Sequence, residues 1–90
     1  MKKISFGDNN NIIYEQLKIS RVKADLTQDE LAVKMQTLGV NIDQQMISRI
    51  ERNERIVTDY ELATLCQILK VTEKELLQDF QKKQDELQDL

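Results

Sequence analysis

Three times in this chain a threonine stands three positions ahead of a glutamate: Thr27-Gln-Asp-Glu30, Thr58-Asp-Tyr-Glu61 and Thr72-Glu-Lys-Glu75. At the start of a helix such a pair is reciprocal, the hydroxyl accepting from one orphan amide and the carboxylate from another, so each marks an N-terminus. Proline is absent and glycine occurs only at Gly7 and Gly39. β-Branched residues never alternate with polar ones for long, so no strand pattern competes. The chain reads as all-α, a single compact domain of five helices, because ninety residues allow one modest core.

Apolar spacing places the helices between those starts. The first is expected from about Asn11 to Ala24, with Ile13 and Leu17 facing inward and Arg21 continuing their edge. The second follows Thr27 with Leu31, Ala32, Met35 and Leu38 inward, ending at Gly39, which suits the left-handed residue after a helix. The third follows Asp43, a capping carboxylate, and runs to about Asn53. Leu62, Leu65 and Leu69 form the inner face of the fourth, and Leu76, Leu77 and Phe80 that of the fifth. The expected divisions are an N-terminal arm over 1–10, a helical domain over 11–80 and an acidic, polar tail over 81–90. That tail is either a solvated, fraying end or a helical extension that packs Phe80, Leu87 and Leu90 on a second subunit.

The third helix divides most sharply. At about 100° per residue, Met46, Ile47 and Ile50 share one arc, while Gln44, Gln45, Ser48, Arg49 and Arg52 fill the opposite one. Long amides and guanidinium groups make paired hydrogen bonds to base edges in the DNA major groove, an amide to adenine and a guanidinium to guanine. The alternative is a merely exposed polar face.

Composition removes much else. Histidine is absent and Cys66 is the one cysteine, which takes away common general bases, thiol pairs and most transition-metal sites. No nucleophile, base and oxyanion site assemble, so neither an enzyme nor a cofactor or metal is expected. Cys66 sits among Leu62, Leu65 and Leu69 and is expected to be a packed, reduced thiol. No apolar run has transmembrane length, and the start MKKISFGDNNN lacks a signal-peptide core, so no membrane association and a cytoplasmic location are expected. The net charge is −3, against the basic footprint usual for DNA binding. Its distribution is uneven: residues 1–24 carry five basic and two acidic groups, 73–90 three and six. Local convergence of cations suffices for phosphate contact under physiological screening.

Leu26-Thr27-Gln28 with Glu30-Leu31-Ala32, then Ile47-Ser48-Arg49-Ile50-Glu51, then Leu62 to Leu69 with Val71 and the Thr72 cap together resemble the helix-turn-helix domains of phage repressor and Cro type, the XRE-like family, over roughly 13–77. The resemblance implies a lambda-repressor-like fold in which the helix after Thr27 lies across the DNA backbone and the helix of Ile47 and Ile50 enters the major groove. It implies base reading by Gln44, Gln45, Ser48 and Arg49, with Met46 at the groove edge or partly in the core. Phosphate contacts are implied for Gln28, at a helix start, and for Arg52, Asn53 and Arg55, where the following loop runs along the phosphates. Arg21 and Glu51 match a basic and an acidic position that the family tends to pair, which implies a partly buried ion pair orienting the reading helix. The stretch from Ala32 to Ile47 is five residues longer than is common in the family, which implies a longer second helix and a connection Gly39-Val40-Asn41-Ile42 whose Val40 and Ile42 extend the core.

The expected function is therefore a sequence-specific regulator of double-stranded DNA, repressor-like, acting by occupancy. One reading helix covers few base pairs, so a homodimer on a two-fold operator is expected. The alternative is a protein-interaction module, such as an antitoxin whose acidic tail covers a partner protein.

Overall fold

A computed structural model describes residues 5–88. Its order is α1 (Tyr14–Lys23), α2 (Gln28–Thr37), α3 (Gln44–Glu51), α4 (Asp59–Leu69), α5 (Glu73–Leu76) and α6 (Phe80–Gln88), with no strand among the described residues. The fold is all-α and lambda-repressor-like. Ile13, Leu17, Leu31, Ala32, Met35, Val40, Ile42, Ile47, Ile50, Leu65, Cys66, Leu69 and Leu76 make one buried cluster. Every one of α1 to α5 contributes to this core or borders it. Burying a Leu or Ile side chain stabilises by roughly 1.5–3 kcal/mol, and the short helices depend on it: eight residues of α3 are too few to be helical alone.

The caps act largely as the threonine spacing predicts. Thr27 and Thr58 form complete capping boxes with Glu30 and Glu61. At Thr72 only the hydroxyl half is made, accepting from the Glu75 N–H at 3.0 Å. Asp43 accepts from the Met46 N–H at 2.8 Å and starts α3. The first helix starts later than expected, at Tyr14, and α3 ends at Glu51 with Arg52 as its cap, so Asn53 lies beyond it.

The lengthened α2–α3 connection is well bonded. Met35 O accepts from the Leu38 and Val40 N–H groups at 3.0 Å each, Gly39 turns at φ +89°, and Gln36 Nε2 reaches Ile42 O at 2.8 Å. Val40 and Ile42 are buried, as the sequence implied, whereas Leu38, expected inward, is exposed because it already lies in the turn that ends α2.

The larger correction concerns Phe80. It was expected inside the fifth helix, but α5 stops after one turn with Leu77 as its cap. Short turns then intervene, Phe80 N–H bonding back to Leu77 O at 3.0 Å, and the helical phase is reset. Phe80 opens a separate helix, is 44% exposed, and stacks on Phe6 with ring centroids 5.5 Å apart. Residues 81–88 continue this helix, and not all of their side chains face outward. Lys83 is buried, donating to Tyr14 Oη at 2.7 Å with Nζ 5.0 Å from that ring's centroid, and Leu87 packs against Gly7. Leu90 lies outside the described residues, as do Lys2 and Lys3 of the basic arm.

Candidate nucleic-acid interface

Helix α3 is fixed on its core side by Ile47 and Ile50, both fully buried, with Met46 half-buried beside them. The opposite arc leaves Gln44, Gln45, Arg49 and Arg52 exposed and Ser48 half-buried. These five residues therefore share one continuous polar surface.

The edge of that surface nearest α1 and α2 is tied down by a chain of polar contacts. Arg21 Nε donates to Glu51 Oε2 at 2.7 Å and Nη2 to Oε1 at 3.1 Å, with side chains only 12% and 4% exposed. The remaining Arg21 nitrogen, Nη1, donates to Leu26 O at 2.7 Å. Hydrogen bonding to Glu51 outweighs desolvation and raises the Arg21 pKa further, so this guanidinium stays charged. Gln28 Nε2 adds a third bond to Glu51, at 3.0 Å, and Gln28 Oε1 accepts from Gln44 Nε2 at 2.7 Å. Arg21, Glu51, Gln28 and Gln44 are thereby linked, carrying the orientation of α1 and α2 into the first turn of α3.

Arg52, Asn53 and Arg55 are separated by the structure. Arg52 is 59% exposed in its side chain and lies 3.4 Å from the equally open Glu54, a pair worth little in water. Asn53 adopts a left-handed conformation, φ +60°, and its side chain turns toward the N-terminal segment. Its Oδ1 accepts from the N–H groups of Asn10 and Asn11 at 2.9 and 3.2 Å, and its Nδ2 donates to Asn9 Oδ1 at 3.0 Å. Arg55 forks onto Glu61, Nη1 to Oε1 at 2.9 Å and Nη2 to Oε2 at 3.0 Å. Neither Asn53 nor Arg55 stands free beside Arg52.

Two partners escaped the sequence reading. Glu61 was visible only as half of a capping box, and its second role opposite Arg55 spans a loop and a helix start, where no helical spacing signals a contact. The run Asn9-Asn10-Asn11 carries no spacing signal, and its targets lie about forty positions away. Burial raises the Glu61 pKa, but the Arg55 fork and the Thr58 N–H outweigh it and hold the carboxyl below its usual range. Cys66 is buried, and desolvation pushes its thiol pKa up, as for a packed, unreactive sulfur.

A family model described as helix-turn-helix matches residues 17–76, two thirds of the chain. The chain belongs to the XRE-like helix-turn-helix family. Membership carries DNA binding of the transcription-regulator type, with double-stranded DNA as the ligand. No curated protein matches the chain. In this family frame α2 and α3 are the two helices of the motif, and the connection from Leu38 to Asp43 is its turn. Among the described residues no helix is long and apolar enough to cross a membrane.

Proposed function

We infer that the protein is a sequence-specific, repressor-like regulator that acts by occupying its operator, with α3 in the major groove. The observation that carries this reading is the α3 surface: Gln44, Gln45, Ser48 and Arg49 on one side of a helix whose other side is seated in the core by Ile47 and Ile50. Gln45 and Arg49 are the principal base readers. Gln44 contributes through the amide groups left free by its bond to Gln28, and Ser48 fills the centre of the contact. Arg52 contacts phosphate through its exposed guanidinium, and Gln28 through the one amide hydrogen that its bond to Glu51 leaves, at the first turn of α2, where free amides and the helix dipole favour an anion. The Arg21–Glu51 pair orients the helix. Asn53 and Arg55, whose polar groups are engaged internally, support the loop and do not add charge to the contact.

Site selection requires more base pairs than one helix covers, so the active species is a homodimer on a two-fold site with half-sites about 34 Å apart. Selection of bound duplexes from a random pool tests the whole reading. An enriched, two-fold symmetric site is expected, and Gln45→Ala should relax preference at one position per half-site by about 1–3 kcal/mol. A pool that yields no enriched sequence overturns sequence-specific binding. A monomer in equilibrium sedimentation, both free and with the selected site, overturns the dimer.

A further inference from the structure

The carboxyl end of α3 is held by a segment that base reading does not use. Phe6 and Asn9 exchange both backbone hydrogen bonds, at 2.9 and 3.0 Å, around a tight turn in which Gly7 takes φ +62°. One side of the turn rests on α6, with Phe6 stacked on Phe80 and Gly7 so close to Leu87 that a β-carbon would collide with it. The asparagines that follow reach from this anchored turn to the end of α3.

Asn11 is the node. Its Nδ2 donates to Ile50 O at 3.0 Å, in the last turn of α3, and to Arg55 O at 2.9 Å, in the loop beyond. Its Oδ1 accepts from the Ile13 N–H at 3.0 Å, at the head of α1. Both amide hydrogens and the amide oxygen are used, so aspartate, which has no hydrogens to donate when ionised, and serine, which has one, cannot replace it. Asn10 adds a bond from Nδ2 to Asn53 O at 3.0 Å, alongside the bonds that Asn53 Oδ1 accepts from two backbone N–H groups. The last carbonyls of a helix have no partner within it. Ile50 O already accepts from the Asn53 N–H at 3.0 Å, and the Asn11 side chain adds a second donor from a distant segment.

We propose that Asn11 is a positioning residue for DNA recognition. By joining the head of α1 to the tail of α3 it sets the angle at which the last turn of α3, carrying Arg49, meets the DNA. The start of α3 is fixed separately, by the Asp43 cap and the Gln28–Gln44 bond, so the base pairs read by Gln45 depend on Asn11 less than those read by Arg49. This inference rests on the reading of the α3 surface as base-reading.

The test is duplex selection followed by affinity measurement on the selected site and on a scrambled duplex, at a temperature where each variant is fully folded by circular dichroism. Wild type, Gln45→Ala, Arg49→Ala, Asn11→Ala and Asn11→Ser are compared, the last keeping a small polar group with one hydrogen to donate where the amide has two. Asn11→Ala is expected to lower the ratio of specific to scrambled binding by about tenfold. The preference should be lost at the base pairs that Arg49→Ala also relaxes, with scrambled-duplex affinity unchanged. Asn11→Ser should reproduce that pattern and decides the matter if Asn11→Ala does not fold. A wild-type ratio in the folded variants overturns the proposal, as does an equal loss on both duplexes, which is what a merely structural role predicts. If Gln45→Ala and Arg49→Ala also leave preference untouched, the base-reading surface itself fails. If they relax preference and the asparagine variants do not, the failure belongs to Asn11 alone.

Discussion

Arg55 and Glu61 meet through two parallel hydrogen bonds of 2.9 and 3.0 Å, with the carboxylate side chain 4% exposed and the guanidinium 23%. A cation in the loop after a recognition helix would ordinarily be assigned to phosphate. This one already has a carboxylate in bidentate geometry, so its removal strands a buried anion. Arg55→Ala should therefore cost about 2–3 kcal/mol of stability, somewhat less than for a fully buried pair, and leave the salt dependence of DNA binding nearly unchanged. Arg52→Ala should do the reverse, leaving the melting temperature within a few degrees and reducing the slope of log K against log salt by about 0.9. Thermal melts and binding titrations at several salt concentrations check both. A reduced slope for Arg55→Ala would return that residue to the phosphate set.

The same pair gives the fold an acid dependence. The Glu61 pKa is lower folded than unfolded, so the unfolded chain binds more protons in that window and stability rises with pH through it. The contribution is fully present above the ordinary glutamate value of about 4.3 and is lost as pH falls through the lower folded value. Melting temperatures of wild type and Glu61→Gln, compared from pH 7 downward, should converge on acidification. A gap that stays constant to pH 3 would mean that the carboxylate charge is not what stabilises this corner.

What the sequence disclosed depended on whether a contact was local. Helix starts at Thr27, Asp43, Thr58 and Thr72 were legible because a cap and its target are three residues apart. The α3 surface was legible because a short helix with three apolar residues on one arc can bury only that arc. Arg21 and Glu51 were placed by family resemblance, and nothing in their separation of thirty residues would have paired them. The fate of Phe80 was hidden because the break after α5 comes from backbone turns at Leu77 to Asp79, with neither proline nor glycine to mark it. Asn9, Asn10 and Asn11 gave no sign of their targets, since polar runs near a chain end resemble solvated arms in every local respect.

Gly39 tests whether the lengthened turn is a defined structure or a slack loop. Its φ of +89° is unfavourable for residues with a β-carbon, although nothing lies within 4 Å of where that carbon would sit. The whole cost of Gly39→Ala is thus conformational, about 1–2 kcal/mol, while Gly39→Asn should cost less because asparagine tolerates left-handed backbone better. Denaturant melts would report the order Gly, then Asn, then Ala. Equal stability of all three would show that the turn relaxes freely.

The contacts at Glu51 make its removal more damaging than loss of one surface charge. Glu51 accepts two bonds from Arg21 and one from Gln28, and without it a guanidinium only 12% exposed keeps its charge with a single carbonyl partner. Glu51→Ala should destabilise by roughly 3 kcal/mol, which for a domain of this size lowers the melting temperature by about 12–24 °C. Replacing both partners, as Arg21→Met with Glu51→Met, should cost clearly less than the sum of the single replacements, because no charge is left buried alone. The double-mutant cycle measures that difference directly. Its counterpart in binding is Gln28→Ala, which keeps the ion pair but cuts the link to Gln44. Specific affinity should fall there with little change in melting temperature. Strictly additive effects of the two Met replacements would show that Arg21 and Glu51 contribute independently.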